Sequence, residues 1–188
     1  SEVETETQIE LSWNENASGN YYNLYRSVND GPYELLLQTT ETSYIDLNLD
    51  PGTVCSYQIT SVSENTGLES ARTGVLRCAS RPTAASGVAI SEGTAESISI
   101  TWEENNTATG YLIYRKKGSG SYVYLASTTS LSYTDTGLDS GTNYRYKLLT
   151  YTDTANHPAL SYSNEVKTST LPAKLTVTGK AGFGKVRL

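Results

Sequence analysis

The chain repeats itself at a fixed interval, and this constrains its fold more than any other feature. "IELSW" ends at Trp13 and "ISITW" at Trp102; "YYNLYR" ends at Arg26 and "GYLIYR" at Arg115; "SYIDLNLDPGT" ends at Thr53 and "SYTDTGLDSGT" at Thr142. Each pair is separated by 89 residues (13 to 102, 26 to 115, 53 to 142). The interval becomes 90 at Pro82 and Pro172, which places one inserted residue in the last hairpin of the second copy. A register held over so many positions means duplicated units, each a complete supersecondary assembly. The boundaries it predicts are 1–81, 82–171, and a remnant at 172–188.

Each unit reads as β throughout. In "SISITW", Ile98, Ile100 and Trp102 alternate with Ser99 and Thr101, the period-2 pattern of a half-buried strand. Turn signals such as "LDPG", "GSGS" and "LDSG" recur between short strands, the spacing of a sandwich. Composition agrees: 15 Tyr and 15 Gly against one Phe and two Trp, with no long 3.6-residue apolar period. The final stretch "AKLTVTGKAGFGKVRL" (173–188) reads as strand, glycine turn, strand. It aligns with the opening strands of a repeat and leads us to expect a truncated third copy. The first copy has only eight residues before Ile9, so its opening strand is expected to be short or missing.

The tryptophan on the second strand, "GYLIYR" on the third, then "YTDTGL" followed by "GTNYRYKL" and a closing "SNEV" resemble the fibronectin type III family. The resemblance extends over both copies and looks most like bacterial extracellular members. It implies an all-β fold of two tandem immunoglobulin-like sandwiches, and a tyrosine corner at Tyr144, whose hydroxyl would bond back to the preceding turn. It also implies a non-catalytic spacer or interaction module of a secreted or cell-surface protein: an adhesin, a stalk or a multidomain extracellular enzyme. No Arg-Gly-Asp is present.

At the position of Tyr144 the first copy carries Cys55. If Val62 pairs with Ala71 in the last hairpin, Cys55 faces Cys78 across adjacent antiparallel strands, within reach of a disulfide. The bridge would replace the corner, close a loop of about 24 residues and contribute roughly 3 kcal/mol; two reduced buried thiols are the alternative. A bridge implies an oxidising, extracellular setting.

No catalytic, cofactor or metal-binding residue is assigned. The single histidine, His157, falls in a hairpin loop, there is no Cys-x-x-Cys, and neither Gly-x-Gly opens a helix. Asp46 with Asp135, and Asp50 with Asp139, recur at equivalent places and are read as turn caps. A net charge of -6 disfavours phosphate-backbone binding, and no apolar run is long enough to span a bilayer. The partner expected is a protein or polysaccharide at the cell surface. Tyr111, Tyr122 and Tyr124 are candidate ligand contacts for a carbohydrate-binding alternative. A monomer is expected, with a strand-exchanged dimer as the other possibility, since the closing strands expose Leu175, Val177, Val186 and Leu188.

Overall fold

The structure is a computed structural model that describes residues 8–17, 21–152 and 159–178. All regular elements among them are strands. In the first copy, β1 (Ile9–Ser12) pairs with β4 (Ser43–Asp46), and a second sheet runs β3 (Glu34–Thr39), β2 (Tyr21–Val28), β5 (Val54–Val62), β6 (Leu76–Ala79). In the second copy, β7 (Ala89–Gly93), β8 (Ser97–Thr101) and β11 (Ser132–Thr136) form one sheet, in the order β11-β8-β7. The other sheet holds β10 (Tyr122–Thr128), β9 (Gly110–Lys117) and β12 (Asn143–Thr152), with β13 (Ala159–Tyr162) and β14 (Val166–Ser169) both on β12. Every pairing is antiparallel.

Alternation along the strands makes two cores. Ile98, Ile100, Trp102, Tyr111, Ile113, Tyr146 and Leu148 pack together in the second copy; Ile9, Leu11, Leu24, Leu49, Cys55 and Tyr57 do so in the first. The tryptophans lie edge-on against a strand tyrosine in both, Trp13 to Tyr22 at 5.8 Å and Trp102 to Tyr111 at 5.3 Å. The expected tyrosine corner forms: the Tyr144 hydroxyl accepts the Asp139 backbone N–H at 3.0 Å.

The segment joining the copies is held on both sides. Pro82 is fully buried, Ala85 enters the second core, and Ser80 donates its hydroxyl to the Asp50 carbonyl at 2.6 Å. Thr83 N–H donates to Thr107 Oγ1 at 2.8 Å, and Asn105 Nδ2 to the Thr83 carbonyl at 2.7 Å. Gly52, in the left-handed region at φ +73°, lies so close to the Thr107 carbonyl that a Cβ there would sit 1.9 Å from its oxygen.

One difference between the copies matters below. The edge of β8 is covered by β7, whereas among the described residues β1 pairs with β4 alone. Residues 173–178 of the closing segment lie outside any strand, with Leu175 and Val177 89% and 71% exposed. Val186, Leu188 and His157 lie outside the described residues.

Candidate functional site

Two of the four aspartates read as turn caps are core residues instead. Asp46 and Asp135 stand on β4 and β11 and point inward, 2% and 4% exposed. Arg26 Nη1 donates to both oxygens of Asp46 at 2.8 and 2.9 Å, and the Tyr57 hydroxyl donates to Oδ2 at 2.6 Å. In the second copy Arg115 Nη1 bonds both Asp135 oxygens at 3.0 and 3.1 Å, and Tyr146 donates to Oδ2 at 2.8 Å. Burial, and then donation to the carboxylate, holds both tyrosines protonated far above the ordinary range. Charge-assisted bonds take up the lone pairs that burial would otherwise strand, so the triad fixes the core. Asp50 and Asp139 serve instead through their carbonyls, which accept from Ser80 and Thr170 Oγ. The Asp139 side chain pairs with Lys117.

The cysteines face each other as expected: Cys55 is the partner of Cys78 on β5 and β6. The route to that register differs. Val62 bridges Glu69, not Ala71, and the ladder slips by two residues before Tyr57 pairs with Leu76. No disulfide joins the pair; both are free, buried thiols. Burial raises both, and Cys78 is pushed up to about 11, so neither is a ready thiolate.

The three tyrosines proposed as ligand contacts separate. Tyr111 is 4% exposed, committed to Trp102, and its hydroxyl accepts the Asn105 backbone N–H. Its parity on β9 decides this: 111, 113 and 115 face inward, and 112, 114 and 116 outward. Tyr122 and Tyr124 do share the outward face of the β10-β9-β12 sheet, in register with Lys116 and Tyr114. Tyr114 meets Tyr124 edge-on at 5.8 Å and 66°. Lys147, opposite Tyr114 on β12, holds its ammonium 4.5 Å from the rings of both Tyr122 and Tyr162 and 5.9 Å from that of Tyr114. Glu165 closes the cluster, bonded by Tyr122 and by Arg145 at 2.9 Å. Burial and this bond push the Tyr122 hydroxyl up to about 12. Beside it a shallow cavity of about 350 Å³ is lined by Lys116, Arg145 and Lys167. On the matching face of the first copy, Arg72 lies 4.0 Å over Tyr25 and 5.6 Å over Tyr33.

Sequence reasoning missed Lys147 and places Tyr114 in the core; Tyr162 it counts among the tyrosines hard to bury. The signal was the cross-strand pairing of outward positions 114 and 147, legible only once the register of β9 against β12 is known. Among the described residues no group of three or more His, Cys, Asp or Glu could hold a metal ion.

The fibronectin type III domain family model matches residues 80–167, from the segment before β7 to the start of β14, with Trp102 and the Tyr144 corner inside it. Over these residues the chain belongs to the fibronectin type III family. The Arg26–Asp46–Tyr57 and Trp13–Tyr22 pairings repeat the interior of this fibronectin type III domain one unit upstream. Three curated proteins are similar. An alpha-amylase of Niallia circulans is 36% identical over 47% of this chain and 7% of its own length. Exoglucanase B of Cellulomonas fimi is 26% identical over 88% of this chain and 16% of its own. A poly(3-hydroxybutyrate) depolymerase of Ralstonia pickettii is 34% identical over 53% of this chain and 19% of its own. The chain thus spans under a fifth of each relative. Among solved structures, a two-domain fibronectin type III segment of chicken tenascin covers 89% of this chain and 95% of its own, at 18% identity and TM-score 0.47.

Proposed function

We propose that this chain is a non-catalytic spacer and interaction module of a secreted bacterial protein, and that the parent is a multidomain extracellular enzyme. The observation that carries the reading is the alignment of 88% of the chain with 16% of an exoglucanase: the pair of repeats corresponds to a minor stretch of a much larger enzyme. The joint supports a spacer. Buried Pro82, the Thr83–Thr107–Asn105 bonds and the close approach at Gly52 tie the linker to both copies. An adhesin or stalk would use the same stiffness; the enzyme relatives favour the first parent. In an oxidising compartment the opposed Cys55 and Cys78 would close as the disulfide that their register permits.

The test is a spin-label distance distribution between Tyr33→Cys and Tyr124→Cys in a background with the native cysteines replaced by serine, together with hydrolysis assays on amylose, cellulose and poly(3-hydroxybutyrate). A narrow distribution and no turnover are expected. A broad distribution refutes the spacer, and turnover on any polymer refutes the non-catalytic reading.

A second reading is favoured by the Tyr114, Tyr122, Tyr124, Tyr162 and Lys147 face: a carbohydrate site in which a sugar stacks on an exposed ring. Because Tyr114 and Tyr124 are inclined at 66°, the face suits a single glycan chain better than a flat crystal surface. Titration of soluble oligosaccharides against the chain and its Tyr124→Ala variant tests it; no heat and no chemical-shift change at millimolar sugar refutes it.

A further inference from the structure

Among the described residues, β1 of the first copy pairs with β4 alone, where β8 of the second copy also carries β7. In the second copy β7 pairs with β8, and Val88 and Ile90 pack against the core beside Val166. In the first copy, two adjoining cavities of about 180 and 300 Å³ are lined by Leu11, Trp13, Tyr57, Ile59 and Leu76. Leu76, the counterpart of Val166, is 41% exposed. Among the described residues the groove therefore offers a strand edge without a partner beside apolar pockets, the two features that select an added strand.

The same chain carries a segment with the complementary pattern. In Ala173–Thr178, Leu175 and Val177 recur at the two-residue spacing of Val88 and Ile90, and both stand in solvent. Charge matches as well. The stretch 173–188 holds Lys174, Lys180, Lys185 and Arg187 and no acid; the stretch 1–15 holds Glu2, Glu4, Glu6, Glu10 and Glu15 and no base.

We propose that residues 173–178 of one copy of this chain add as a strand to the free edge of β1 in a second copy, seating Leu175 and Val177 in the groove. The pairing of Ala89 with Thr101 and of Ile90 with Ile100 transfers directly: Thr176 lies beside Ser12, and Val177 beside Leu11. Donor and acceptor are different surfaces, so reciprocal exchange closes a dimer and one-way exchange extends a row.

The experiment mixes a Ser12→Cys chain with a Thr176→Cys chain, both carrying Cys55→Ser and Cys78→Ser, under diamide, and follows the unmodified chain by light scattering. Ser12 and Thr176 both point to solvent, so cysteines placed there leave the cores intact, and the Cys55→Ser, Cys78→Ser chain alone is the reference. A cross-linked heterodimer is expected in the mixture and in neither chain alone, with a mass rising above 20.4 kDa as concentration rises. Association should weaken as salt is raised. The doubly charged variant Leu175→Asp with Val177→Asp, which alters only exposed side chains, should abolish both signals. A monomer at all concentrations overturns the proposal, as does a cross-link that survives the aspartates. A chain that associates only after deletion of residues 1–7 assigns the groove to its own N-terminal segment and overturns it too.

Discussion

The buried triad of the second copy sets a quantitative expectation. Asp135→Ala removes three hydrogen bonds at once: two from Arg115 Nη1, at 3.0 and 3.1 Å, and one from Tyr146 at 2.8 Å. What remains is a fully buried hydroxyl with no acceptor and a guanidinium whose side chain is 27% exposed. Breaking a buried pair by removing one partner costs about 3–5 kcal/mol, and partial exposure of Arg115 pulls the figure toward the lower end, about 3 kcal/mol. Tyr146→Phe removes one charge-assisted donor and leaves Asp135 with its arginine, so about 1.5–3 kcal/mol is expected. The double variant should cost less than the sum by about 1–2 kcal/mol, because the stranded hydroxyl is gone. Urea unfolding followed by tryptophan fluorescence reads this directly in a Trp13→Phe background, where Trp102 alone reports on the second core. Against a domain stability of about 5–10 kcal/mol, such losses shift the midpoint severely. Strict additivity, or a loss below about 1 kcal/mol for Asp135→Ala, refutes the view that the triad is one network.

Other consequences follow from particular residues. Tyr57 and Tyr146 keep their protons above the ordinary tyrosine value, so their contribution is intact below about pH 10 and falls as pH rises further, by about 1.4 kcal/mol per pH unit per tyrosine; an unchanged urea midpoint between pH 9 and 11 contradicts this. Gly52→Ala and Gly141→Ala form an internal control: both pay left-handed strain of about 1–2 kcal/mol, but only the first drives a methyl into the Thr107 carbonyl. Only Gly52→Ala should therefore broaden the distance distribution across the joint. Cys55 and Cys78 should resist a thiol reagent at pH 8 until urea is added, and oxidation should remove two hydrogens from the intact mass. The bridge should then raise the melting temperature by roughly 10–20 °C, and a reagent-sensitive pair in the native chain contradicts their burial.

The repeat alone determined a great deal. Matched residues 89 apart implied two copies of one β unit, and period-2 alternation implied which strands face inward. The Tyr144 corner followed from the family resemblance; the opposition of Cys55 to Cys78 followed from an assumed hairpin register that holds at the cysteines and is two residues off at Val62. Tertiary structure decided what depends on strands distant in the chain. Whether Asp135 caps a turn or anchors a core rests on β11 lying across from β9 and β12, which brings Arg115 and Tyr146 to one carboxylate. Whether Tyr111 or Tyr114 meets solvent rests on the parity of β9 relative to Trp102, and a shift of one residue exchanges the faces. The slip between Val62 and Tyr57 is likewise a property of pairing, invisible until the strands are assembled side by side.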